Sequence, residues 1–147
     1  MSRRILSLWL PSFAIDRVRR HDPAWRARPL AIVVVSCGVT RLAAVNASAM
    51  AQGLVPGLTL ASARAVIPNL EIIRSEPKRD VKALKVLSDW CGSYTPWTAP
   101  EPLGEPAMDA GVRLDITGCS HLFGGETGLL EHLLSRIQCM GFAAQAA

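Results

Sequence analysis

Long apolar runs are missing from this 147-residue sequence. None reaches the roughly 18–20 residues that a spanning helix needs, so a membrane protein is not expected. Histidine is scarce, with three in all, and none stands near a serine in the pattern of a nucleophilic triad. A G-x-S-x-G elbow is also missing. The glycines of 118–125 lack the following lysine that a Walker-type phosphate loop requires. Cys37, Cys91, Cys119 and Cys139 include no C-x2-C spacing, which argues against a zinc site or redox pair. They read as reduced core or near-core thiols of a cytoplasmic protein. A basic start followed by an apolar stretch over 5–15 imitates a secretion signal. Asp16, Arg17, Arg19 and Arg20 follow at once, however, with no small-residue cleavage site.

What is present is a globular composition. Hydrophobic residues make up 50% and charged residues 19%, which excludes a disordered tail and suffices for one domain with its own core. The net charge of +4 is unevenly spread. Seven arginines stand against Asp16 and Asp22 in residues 1–28, while six acids stand against Arg113 and Arg136 in residues 100–147. That polarity fits an anionic partner near the N-terminus, such as nucleic acid, and equally a solvated basic helix face. On this reading Arg17, Arg19, Arg20, Arg26 and Arg28 are the candidate DNA or partner contacts.

Hydrophobic periodicity predicts a mixed α/β order. Residues 5–10 read as a buried strand ended by Pro11, and 12–20 as a helix with Pro11 at its first position. The β-branched run of 30–36, the Cys37-Gly38 turn and 39–45 read as a hairpin. Short helices follow at 46–52 and 59–67, then a strand at 70–73. Residues 77–91 form the longest helix, with Val81, Leu84 and Leu87 as its apolar stripe. Four prolines between 96 and 106 mark a loop or sheet edge. Residues 112–117 alternate as a strand, and 126–138 form a helix with Leu129, Leu130, Leu133, Leu134 and Ile137 inward. Residues 141–147 begin a further apolar element.

The chemistry-bearing residues are sparse. A two-metal site needs several carboxylates converging on paired ions. Near the predicted sheet strands stand Asp16, facing its own basic turn, Asp109, and Asp115, alone on its strand. Cys119 and His121 read as turn residues rather than a metal pair. Trp9, Trp25, Trp90 and Trp97 read as core or interface residues rather than a base-stacking platform.

Three segments carry a family resemblance: ILSLWLPSFAIDRV (5–18), AVNASAMAQGLVPGL (44–58) with its continuation to Leu70, and LDITGCSHLFGG (114–125). In this order and spacing they resemble the Y-family (UmuC/DinB-like) translesion DNA polymerases, and most closely their ImuB-type branch. The resemblance implies an N-terminal piece of such a protein: a palm with an inserted small fingers subdomain, truncated before the palm is complete. Residues 1–24 would begin the palm, 25–76 form the fingers and 77–147 continue the palm.

The departures from the family pattern bear on activity. The metal-binding acidic positions of active members fall on Trp9, Pro11, Ala110 and Gly111. The Tyr and Arg of the triphosphate clamp fall on Ala47 and Met50, and the aromatic sugar gate falls on Ala14, beside Phe13. Asp109 lies one residue from a metal position, and a one-residue slip in a strand would turn it to the other face. Mg²⁺ needs hard oxygen ligands, and phosphoryl transfer depends on positioning and electrostatics. The expectation is therefore a chain with no catalytic residues and no metal or other cofactor: a non-catalytic accessory in damage-induced (SOS) translesion synthesis and mutagenesis. The resemblance implies weak or indirect DNA contact. It also implies an error-prone replicative-type polymerase, a RecA-like protein and the sliding clamp as partners, mostly through regions beyond these residues. The alternatives are an active error-prone polymerase fragment and a basic DNA- or protein-binding α/β module.

Overall fold

The computed structural model describes residues 2–20, 27–103 and 109–147. Its elements are β1 (Ile5–Leu10), α1 (Phe13–Arg19), β2 (Leu30–Ser36), β3 (Val39–Val45), α2 (Ala47–Ala51), α3 (Leu60–Val66), β4 (Glu71–Arg74), α4 (Pro77–Trp90), β5 (Thr98–Pro100), β6 (Ala110–Asp115), α5 (Glu126–Cys139) and β7 (Gln145–Ala146). Among the described residues no helix is long and apolar enough to cross a membrane.

Two sheets organise the chain. The first is antiparallel, in the order β5-β6-β1-β7. Strand alternation turns Leu6, Leu8 and Leu10 of β1 and Ala110, Val112 and Leu114 of β6 to one face. There they bury against Leu84 and Leu87 of α4 and Leu129, Leu133 and Ile137 of α5. The other face carries Ile5, Trp9 and Arg113 and is open. The second sheet has the order β3-β2-β4, with β2 antiparallel to β3 and parallel to β4. The predicted hairpin turns at Cys37 and Gly38, both at positive φ (52° and 76°), the geometry that matches strand twist.

Helix α1 joins the two units. Phe13 enters the first core, while Ala14 and Ile15 enter a cluster with Leu30 and Ile32 of β2. On the other face of the second sheet lie Ala49 of α2, Ala63 of α3 and Ile67, which follows α3. Asn46 fixes the entry to α2. Its Oδ1 accepts from the Leu30 N–H at 3.0 Å and from the Ala49 N–H at 2.9 Å, and its Nδ2 donates to the Arg28 carbonyl at 2.7 Å.

Four sequence expectations change. Helix α1 begins at Phe13 rather than at Pro11, which lies in the preceding turn. Val81 is exposed; the inward side of α4 is Asp80, Leu84, Leu87 and Ser88, because α4 faces α1 through an ion pair as well as through apolar contact. The tail pairs with β1 as β7, with Trp9 opposite Gln145. Asp115 is not alone, as described below.

The thiols make a direct check of this packing. Burial pushes the Cys91 thiol up to about 11, whereas Cys37, in the tip of the hairpin, and Cys139, at the end of α5, are exposed rather than in or near the core as expected. The thiolate is the reactive species. Iodoacetamide at neutral pH should label Cys37 and Cys139 in the folded protein and Cys91 after denaturation, as counted by peptide mass spectrometry.

Candidate functional site

Antiparallel pairing sets Trp9 opposite Gly111 and Leu10 opposite Ala110. Pro11 follows directly. The four marked positions therefore gather at one end of the first sheet. None carries a carboxylate.

The open face at this end is occupied by the chain's own contacts. Trp9 is 45% exposed, and its indole Nε1 donates to Asp109 Oδ2 at 3.0 Å. Asp109 was expected to turn away. It does turn away from Ala110, which faces the core, but two residues before Gly111 that turn brings it to the open face of Trp9. Gly111 is covered by a residue that the sequence did not bring to attention. A Cβ at Gly111 would stand 2.9 Å from Glu101 Oε2, so the Glu101 carboxylate fills that space. Glu101 in turn accepts from Arg113 Nε at 2.7 Å. Pro100 and Pro102 on either side of Glu101 were the available signal of an edge segment. The cleft that remains between Trp9, Glu101, Asp109 and Gly111 is small, about 170 Å³.

Asp115 lies at the opposite end of β6. Its carboxylate accepts from the Thr117 hydroxyl at 2.6 Å and from Arg3 Nε at 2.9 Å. These bonds, Thr117 first, hold it below the ordinary carboxylate range. This group ties β6 to the N-terminus and to the next turn. Asp16 is fully buried, pairs with Arg19 at 3.1 Å and accepts the Ala143 N–H at 2.9 Å. It fastens α1 to the segment after α5. Among the described residues no cluster of three or more His, Cys, Asp or Glu is arranged to hold a metal ion.

The other marked positions lie apart from this end. Ala47 and Met50 are exposed on α2. Ala14 is buried, and Phe13 stacks on Phe142 with ring centroids 5.4 Å apart. Among the arginines, Arg17 bonds Asp80 and lies 3.9 Å from Glu76. Arg20 is exposed over the Phe142 ring at 5.0 Å, and Arg28 lies 3.9 Å from Glu71. Arg26 and Trp25 fall outside the described residues. Trp97 is 72% exposed, a surface position like that of Trp9 rather than a core one. Trp90 packs edge-to-face on Tyr94 at 5.6 Å. His121 is exposed in a 3-10 turn, as its sequence context implied.

Comparison with known proteins agrees with this architecture. The profile of the impB/mucB/samB family matches residues 8–142. Protein ImuB of Caulobacter vibrioides is 41% identical over 96 residues, covering 65% of this chain and 20% of that protein. The chain therefore spans about a fifth of the length of this relative. Among solved structures, a post-insertion binary complex of Dbh DNA polymerase superposes with a TM-score of 0.76 at 14% identity, covering 98% of this chain and 41% of that one. DinB from Sulfolobus solfataricus gives a TM-score of 0.71 at 17% identity, with the same coverage.

Proposed function

From the chain's membership of the impB/mucB/samB family, we propose that it is the palm-and-fingers portion of a Y-family polymerase-like protein that has given up phosphoryl transfer and serves as an accessory in translesion synthesis and damage-induced mutagenesis. In this reading the sheet β5-β6-β1-β7, built from residues 1–24 and 77–147, is the palm. The sheet β3-β2-β4, within 25–76, is the inserted fingers. The order of the strands supports that division, since β1 and β6 pair across the whole second unit.

The observation that carries the reading is the Trp9–Gly111 pair. An indole and a glycine stand opposite each other at the positions where the family pattern places acidic residues. The donors present do not fit paired Mg²⁺ ions, which take hard oxygen ligands. The two carboxylates beside Trp9 and Gly111 are already engaged, Asp109 by the indole N–H and Glu101 by Arg113. The resemblance to the ImuB-type branch supports partners of the kind that branch implies: an error-prone replicative-type polymerase, a RecA-like protein and the sliding clamp. DNA contact is then weak or indirect.

A cellular test separates a scaffold from an enzyme. Deleting the gene should lower the frequency of damage-induced mutation. The isosteric double variant Glu101→Gln/Asp109→Asn removes the two carboxylates at this end and should leave that frequency unchanged. A drop to the deletion level, with the protein still folded, would return the chain to the enzymes.

A further inference from the structure

On the helical layer, away from Trp9 and Gly111, α1, α4 and the end of α5 enclose an open groove of about 610 Å³. Its floor is apolar: Val86, Leu87, Trp90 and Met140. Its rim is cationic: Arg20, Arg79 and Lys82, with Arg17 at one side. Arg17 is committed to Asp80 and Glu76, and Arg79 bonds Glu76 at 3.0 Å. Arg20 and Lys82 have no carboxylate partner among the described residues. Lys78 and Lys85 add to the positive charge of the exposed side of α4, against the single exposed carboxylate of Asp89.

We infer that this groove docks an acidic amphipathic helix from a partner protein. Two features select that occupant. The unneutralised rim charge calls for an anionic ligand. The floor calls for apolar side chains: Val86 is 61% exposed, and a Trp–Met surface is adaptable enough to accept leucine or phenylalanine. A duplex would satisfy the rim and leave the floor against water. A helix with leucines at i, i+3, i+4 and i+7 and glutamates around them satisfies both. The lining stretch of α4 from Arg79 to Trp90 gives a groove wall about 18 Å long, enough for roughly three turns of such a helix. The site is independent of the Trp9–Gly111 end, so its test stands whether or not the chain is catalytic.

The experiment is fluorescence anisotropy with the whole chain and three probes at physiological salt. The first is a fluorescein-labelled leucine–glutamate peptide with the helical stripe, the second the same composition scrambled, and the third a random-sequence duplex DNA. The striped peptide should bind saturably, and the scrambled one about tenfold or more weaker. Lys82→Glu and Val86→Glu should each weaken the striped peptide about tenfold. Both side chains are exposed, so thermal unfolding midpoints should stay at the wild-type value and show that the fold is intact. Equal binding of both peptides, indifference to both variants or no saturable binding would overturn the inference. So would duplex DNA that binds more tightly than the striped peptide and is lost in Lys82→Glu, a result that would make this face a phosphate contact.

Discussion

Leu114→Asp should abolish cooperative folding. Leu114 is fully buried in β6, opposite Leu6 of β1, within the core shared with α4 and α5. Removing a buried leucine costs about 2–5 kcal/mol. Leaving a carboxyl without partners there adds several kcal/mol more. The sum is comparable with the whole stability of a small domain, about 5–15 kcal/mol. Arg113, one residue away, points to the open face and pairs with Glu101 on the surface. Arg113→Ala should therefore cost less than about 1 kcal/mol. Urea unfolding of the two variants gives the contrast. Similar midpoints would mean that β6 does not alternate between core and solvent as described.

Arg17→Ala should destabilise the chain by about 3–5 kcal/mol at neutral pH, the usual cost of removing one partner of a buried ion pair. Asp80 is 1% exposed and takes its charge partner from Arg17 across the α1–α4 contact. Burial already raises the Asp80 carboxyl above its ordinary value, and Arg17 opposes that rise. Without Arg17 the folded-state value climbs further. A raised folded-state value means that the native chain binds the proton more readily than the unfolded chain. Stability from this group is thus present below the unfolded-state value and lost as pH rises through the folded-state one. The penalty of Arg17→Ala should accordingly be small near pH 4 and full near pH 7. Chemical denaturation at several pH values checks it, and a penalty flat across that range would show that Asp80 does not carry it.

How far the sequence revealed this molecule depends on the range of the interactions involved. Strands β1, β2, β3 and β6 were legible because burial on one or both faces writes a pattern into consecutive residues. The hairpin was legible because a Cys-Gly turn stood between a β-branched run and a second apolar stretch. The β7 pairing was not, since a two-residue strand carries no periodicity. The inward placement of Asp80 and Asp16 was also hidden. A buried carboxylate is recognised by its partners: Arg19 stands only one turn from Asp16, but Arg17 reaches Asp80 and the Ala143 N–H reaches Asp16 through the fold. At the candidate site, family spacing located Trp9, Pro11, Ala110 and Gly111 on one sheet end. It could not show that Glu101 lies over Gly111, because β5 meets β6 through a proline-rich link with little pattern of its own. Asp109 follows the same alternation counted from the other marked position: away from core-facing Ala110 is toward Trp9 and Gly111.

The most direct measurement of the central claim is an amide NMR titration with Mn²⁺ and a deoxynucleoside triphosphate. If the sheet end of Trp9 and Gly111 holds no metal–nucleotide complex, the folded chain shows a dispersed spectrum with no selective paramagnetic broadening at 8–13 or at 110–111. Saturable broadening confined to those residues, dependent on the triphosphate, would contradict the account and restore a catalytic site to this fold.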